Sequence, residues 1–194
     1  MSNYSDIRKE LFTRLFESGL PYQQYVKTGE PAHQERWRDA ESRTSLTNAQ
    51  SQLLGSFTRK MNILVLSGTW CGDCVRQGPM FARIEEASSV FTFRYLDNRS
   101  TPEAQNELRI NGAEKVPVVV VLSEDFFELA RFGDRHLSVY RRKAAKELGP
   151  SCELGLLPPE KGELELEIQE WCDYFERIQL MLRLAPLLRK RYGD

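Results

Sequence analysis

The chain has 194 residues, with 27 lysines and arginines set against 28 aspartates and glutamates and a formal net charge of −1. That balance leaves no basic face large enough for nucleic acid, and no apolar run approaches the ~20 residues of a membrane-spanning helix. The length is short for two ordinary domains and fits one α/β core with helical additions at both ends.

Residues Met1 to Asp6 lack the basic-then-apolar pattern of a secretion signal, so a cytoplasmic location is expected. Ile7, Leu11, Phe12, Leu15 and Phe16 recur at helical spacing, and Gly19 and Pro21 supply a stop. The polar stretch 22–44 reads as a solvated helix opened near Pro31 and anchored by Trp37. Thr47 with Gln50 forms the pattern of a capping box, and Leu46, Leu53, Phe57 and Met61 mark the buried side of the helix it opens.

Asn62 to Ser67 is an apolar run of strand length, to be covered on both faces. Gly68 and Thr69 lead into Trp70-Cys71-Gly72-Asp73-Cys74. A helix then runs to about Ser88, with Met80, Phe81 and Ile84 turned inward and Pro79 kinking it by removing a backbone donor. Phe91 to Leu96 alternates as a strand does, and Pro102 to Ile110 is a short helix closed by Asn111-Gly112 as its C-cap.

Val116 to Leu122 is the most β-prone run, with Pro117 at its start or on an edge because proline cannot donate to the ladder. Ser123 to Asp125 turns the chain into an antiparallel partner, Phe126 to Phe132, ended by Gly133. A helix over 137–148, stopped by Gly149-Pro150, closes this core, and the loop 151–162 with its paired prolines marks the edge. Leu164, Ile168, Trp171, Phe175, Ile178 and Leu182 then form an apolar stripe on a long helix that Pro186 bends or ends. The stripe either packs on the chain's own core or forms a homodimer seam.

The chemistry lies in the two cysteines separated by two residues at a strand-to-helix turn. Positions three apart share a helix face, so Cys71 and Cys74 come within disulfide range without backbone movement. At the helix N-terminus, free backbone N–H groups and the helix dipole favour Cys71 as a thiolate, the nucleophilic form. Cys74, one turn in, is better covered and fits a resolving thiol. The bland alternative is a reduced core pair or half a zinc site, but there is no second such motif and the only histidines are His33 and His136. No metal and no bound cofactor are expected. Cys152 and Cys172 read as buried thiols, Arg76 and Arg83 as solvated charges, and His136 as a surface histidine.

Trp70-Cys71-Gly72-x-Cys74, Pro79, Val116-Pro117 and Gly133, taken together over 62–148, resemble the thioredoxin family. The Trp-Cys-Gly-Asp segment, Asn111-Gly112 and Phe132-Gly133-Asp134-Arg135 are similar more narrowly to a bacterial thioredoxin-like branch with extra helices at both ends. The resemblance implies an α/β thioredoxin-like fold, a central mixed sheet of about four strands flanked by helices. It divides the chain into a helical extension over 1–60, a redox domain over 61–149, and a linker with an amphipathic helix over 150–194.

It also implies a thiol-disulfide oxidoreductase that reduces protein disulfides. Cys71 is then the nucleophile and Cys74 the resolving thiol, Trp70, Gly72 and Asp73 support the site, and Val116 with a cis Pro117 frames an extended substrate segment. A trans proline opening an ordinary strand is the plainer reading of Pro117. Partners would be a protein or small disulfide and an external reductant such as a thioredoxin reductase or a glutathione system.

Three departures stand out. Val65 occupies the place of a buried carboxylate that assists proton transfer in thioredoxin, Asp73 stands where thioredoxin has proline, and Ser67 replaces an aromatic residue. Water or another group must then take the proton, with Asp73 the nearest candidate or else simply a helix-start residue, and its charge opposes thiolate formation at Cys71. The rival readings are an adaptor protein with slow redox turnover, and a reductase of a small oxidised substrate.

Overall fold

The computed structural model describes residues 4–147 and 162–193. The Gly149-Pro150 stop, nearly all of the loop before Gly162, and Cys152 lie outside them. Four helices, α1 (Lys9–Ser18), α2 (Tyr22–Lys27), α3 (Pro31–Ser42) and α4 (Asn48–Gly55), precede the first strand. Then come β1 (Met61–Ser67), α5 (Gly72–Ala87), β2 (Phe91–Asp97), α6 (Pro102–Glu107), β3 (Val118–Ser123) and β4 (Glu128–Gly133). Helices α7 (Leu137–Glu147), α8 (Glu163–Leu184) and α9 (Pro186–Tyr192) follow.

The four strands form one mixed sheet in the order β2-β1-β3-β4. β1 runs parallel to β2, with Met61 beside Phe91 and Ser67 beside Asp97, and antiparallel to β3, with Leu66 beside Val118. The parallel pair needs a crossover, which α5 supplies. β1 and β3 are sealed on both faces, as their unbroken apolar runs require. The free edge of β2 is covered by Leu20, whose N–H donates to the Tyr95 carbonyl at 2.9 Å and whose carbonyl accepts from Tyr95 N–H at 2.8 Å.

The α8 stripe is spent inside the chain. Trp171 meets Phe81 edge-on at 4.8 Å and Phe175 meets Phe91 at 5.0 Å, while Ile168, Ile178 and Leu182 are buried beside them. Glu167, fully buried on the same helix, accepts hydrogen bonds from Arg76 Nε at 2.7 Å and from the Arg142 guanidinium, tying α5 and α7 to α8. Arg76 is thus a structural ion-pair partner rather than a solvated charge. Arg83, expected to be solvated, also bonds the Thr44 carbonyl at 3.2 Å and Glu86 at 2.8 Å. The capping box forms as read, with Gln50 N–H donating to Thr47 Oγ1 at 3.2 Å and Thr47 N–H to the Gln50 side chain at 3.0 Å. Pro186 ends α8 and opens α9 at its first turn.

Other expectations change. The 22–44 stretch is two helices rather than one, and Tyr22, Tyr25 and Val26 join Trp37 in the core. Tyr25 stacks on Tyr95 at 5.2 Å and meets Trp37 edge-on, so the aromatic bodies of polar-tipped tyrosines carry the burial. Ile7 precedes α1 and is exposed. Asn111-Gly112 is not a helix cap: α6 has already ended, and both residues take positive φ, 51° and 74°. They form the centre of a tight turn whose flanks, Ile110 and Ala113, exchange two backbone hydrogen bonds of 3.0 Å. Phe126 lies in the turn before β4 with φ 62°, where Ser123 Oγ accepts the N–H groups of Asp125 and Phe127.

Candidate active site

Cys71 is the N-cap of α5, placed there by a turn in which its own N–H donates to the Gly68 carbonyl at 3.0 Å. Its carbonyl already accepts the Val75 N–H at 2.9 Å, so the helix starts at the sulfur-bearing residue. The turn is held from behind by α3. Trp37 Nε1 donates to the Thr69 carbonyl at 2.9 Å, and Arg36 reaches the Trp70 carbonyl at 3.4 Å. The Trp37 ring lies so close to α5 that a Cβ on Gly78 would fall 2.1 Å from it, and only glycine admits that approach.

The two thiols differ in setting. Cys71 is half-buried, whereas Cys74 is 2% exposed and its sulfur accepts the Gly68 N–H at 3.4 Å. The Cys74 thiol donates to the Cys71 sulfur and brings its pKa down to about 6, against burial, with the N–H groups of Cys74 and Asp73 adding to the effect. Burial pushes the Cys74 thiol well up, and the adjacent Cys71 pushes it further. One sulfur thus favours the thiolate at neutral pH and the other keeps its proton.

Across from the thiols the Val116–Pro117 peptide bond is cis, and the Val116 carbonyl oxygen stands 3.6 Å from Cys71 Sγ. The Arg99 guanidinium lies 4.5 Å over the Trp70 ring, which covers the flank of the motif. Gly72 follows Cys71 as the first residue of α5. Asp73 is paired with Arg135 at 2.5 Å, so its carboxylate is already engaged. All seven residues singled out in the sequence thereby lie at one end of the sheet, around the α5 N-terminus and the β3 entry.

The sequence reading passed over a buried polar group behind Pro117. Asp134 accepts from Lys115 Nζ at 3.2 Å, from Arg135 at 3.1 Å and from the Tyr140 hydroxyl, while its carbonyl accepts from Gln77 of α5 at 2.9 Å. Burial would raise the Asp134 carboxyl, but Tyr140 and Lys115 outweigh it and hold it below the usual range. Its sequence signal is the Gly133-Asp134-Arg135 run, which carries part of the resemblance to the bacterial branch. His136, expected on the surface, is 3% exposed and packs edge-on against Trp171 at 4.8 Å, since α8 covers it. Cys172 is buried, and burial lifts its thiol to about 11, as an inert core cysteine should be. Among the described residues no group of three or more His, Cys, Asp or Glu is placed to hold a metal, and no helix is long and apolar enough to cross a membrane.

A parallel strand-helix-strand unit joined to an antiparallel hairpin, with a pair of contacting thiols at its first helix and a cis-proline peptide beside them, defines a thioredoxin-like protein. A family model described as thioredoxin matches residues 19–144, and the chain belongs to the thioredoxin family. A thioredoxin of Mycoplasmoides gallisepticum is 25% identical over 91 residues, covering 47% of this chain and 83% of that protein. The fold resembles the crystal structure of a protein of unknown function from Pseudomonas aeruginosa, at TM-score 0.66 and 20% identity, covering 91% of this chain and 99% of that one. It also resembles an HIV epitope-scaffold, at TM-score 0.66 and 21% identity, covering 85% of this chain and 97% of the other.

Proposed function

We propose that the protein is a thiol-disulfide oxidoreductase that reduces protein disulfides. The observation that carries this reading is the asymmetry of the two thiols: a half-exposed Cys71 brought down to about 6 beside a buried Cys74 that remains protonated. The Cys71 thiolate attacks one sulfur of a substrate disulfide, forming a mixed disulfide and releasing the other sulfur as a thiolate. Cys74 then loses its proton and attacks Cys71 Sγ, expelling the second substrate thiolate and leaving a Cys71–Cys74 disulfide. Two electrons pass to the substrate, and an external reductant, a thioredoxin reductase or glutathione system, returns them. Val116 and Pro117 present a carbonyl edge along which an extended substrate segment lies beside the attacking sulfur.

Turbidimetric insulin reduction with dithiothreitol tests this. The protein should accelerate precipitation over dithiothreitol alone, and Cys71→Ser should abolish the acceleration. Equal rates for the two proteins would sink the reductase reading and leave a thioredoxin-like adaptor.

A further inference from the structure

A cleft of about 290 Å³ lies between α3, the start of α5 and Leu164 of α8. Its wall includes Gly72, which is exposed and follows Cys71 in the chain. Ala40 and Val75 supply apolar surface, and three arginines line the rest. Two of these are matched. Arg43 pairs with Asp39 at 2.5 Å, and Arg76 with Glu167 at 2.7 Å and Glu163 at 3.4 Å. Arg36 is not matched: its Nη1 donates to the uncharged Trp70 carbonyl at 3.4 Å, and among the described residues no carboxylate lies within ion-pair distance of it.

The Arg36 guanidinium meets the backbone on both sides of Cys71. Nη1 reaches the Trp70 carbonyl, and a Cβ built on Gly72 would fall 3.8 Å from Nη2. That distance would admit a side chain, so packing does not force glycine at 72; its bareness leaves the approach from Cys71 to the guanidinium open. A second cation, Arg99, lies 4.5 Å over the Trp70 ring, also exposed and without a carboxylate partner among the described residues. A guanidinium presents five donors in a planar fork, and a carboxylate fits that fork with two oxygens at once. Unmatched positive charge beside the point of attack also draws an anionic segment in before contact.

We propose that Arg36, with Arg99 adding to the local charge, selects protein disulfides whose reacting cysteine has an acidic neighbour in the chain. The acidic side chain enters the cleft past Gly72 and meets the free donors of Arg36, while the disulfide sulfur lies at Cys71. Arg36 binds substrate and takes no part in electron transfer. Two electrons still pass from the Cys71–Cys74 dithiol to the substrate disulfide, which becomes two thiols as the protein's own disulfide forms. The proposal rests on the redox reading and names the class of substrate it acts on.

The test uses the full chain, reduced, in single turnover against three end-blocked peptides, each a disulfide-linked dimer whose cysteine is flanked by glutamates, glutamines or lysines. Acid quenching and chromatography count the peptide thiols released, and each rate is divided by that of dithiothreitol on the same peptide to remove intrinsic reactivity. The glutamate peptide should react about fivefold faster than the glutamine peptide, the scale of an exposed ion pair, and the lysine peptide more slowly than either. Arg36→Gln with Arg99→Gln should bring the glutamate-to-glutamine ratio to about one, as should ~0.5 M sodium chloride, whereas Arg36→Lys should keep most of it. The ratio cancels any general loss of reactivity in a variant. Arg38→Gln is the control, since its exposed side chain, two residues along α3, points away from the face that Arg36 shares with the cleft. Equal normalised rates for the three peptides overturn the acidic preference and leave the reductase reading standing. A ratio that survives the double variant, or falls as far in Arg38→Gln, overturns the assignment to Arg36. A wild-type protein that reduces none of the peptides overturns the redox reading and the preference with it.

Discussion

Cys71 Sγ lies 3.6 Å from the Val116 carbonyl oxygen, so the sulfur faces the peptide bond that enters β3. A thiol donates to that oxygen, whereas a thiolate turns instead to the Cys74 thiol and the α5 N–H groups. The balance favours the thiolate down to about pH 6. Iodoacetamide alkylation read by peptide mass should therefore label Cys71 with a rate that rises through about pH 6 and is flat above it. Cys74 and Cys172, both buried, should stay unlabelled in the folded protein. A Cys71 rate still climbing beyond pH 8, as for an ordinary thiol near 8.5, would contradict the assigned environment.

Asp73 acts on the same equilibrium with the opposite sign. Its charge raises the Cys71 pKa, and the Arg135 guanidinium at 2.5 Å offsets part of that charge. Asp73→Asn should move the alkylation midpoint down and Arg135→Ala should move it up. The double variant should follow Asp73→Asn, since Arg135 acts through the carboxylate it neutralises. Midpoints that fail to move in opposite directions would mean that the pair is screened from the sulfur.

The thiol pair and the apolar stripe of α8 were legible in the sequence because each is local: a two-residue spacer and a three-four apolar period report on neighbours in the chain. The cis peptide was expected only from the resemblance of Val116-Pro117 to the family's loop, since a Val-Pro pair alone does not fix the isomer. The Asp134 cluster was not legible, because it joins Asp134 to Lys115 and Gln77, far apart in sequence, through tertiary packing. The Tyr22–Thr44 stretch misled for a related reason. Its apolar surface is carried by tyrosine rings over a helix of only six residues, too short for a period to show.

Gly78 offers a test of how firmly α3 holds the active-site helix. An alanine in a helix interior is ordinarily worth about 1 kcal/mol over glycine. Here its Cβ would meet two Trp37 ring carbons at 2.1 and 2.6 Å, and the ring is fixed by its bond to the Thr69 carbonyl. Overpacking of that kind costs about 1–3 kcal/mol and should reverse the sign. Urea unfolding should show Gly78→Ala less stable than wild type. A more stable variant would mean that the Trp37 ring moves aside freely.

Glu170 gives the chain a pH dependence of definite sign. Its carboxylate, on α8, accepts the N–H groups of Leu137 at 3.0 Å and Ser138 at 3.1 Å, capping the first turn of α7, and lies 3.4 Å from His136 Nδ1. Burial alone would raise the carboxyl, but His136 and Ser138 pull it down to about 2 from an ordinary 4.5. A folded-state pKa below the unfolded one contributes stability that is complete above about pH 4.5 and fades as pH falls through about 2. Glu170→Gln keeps one acceptor oxygen but no charge, and should cost about 1 kcal/mol at neutral pH, the scale of a lost helix cap. That difference should shrink as the pH is lowered and nearly close by about pH 2, where half of the wild-type carboxylate is itself protonated. Urea unfolding of both proteins at neutral and acid pH reads it directly. A gap that stayed constant down to that pH would show that the charge on Glu170 plays no part in holding α7 to α8.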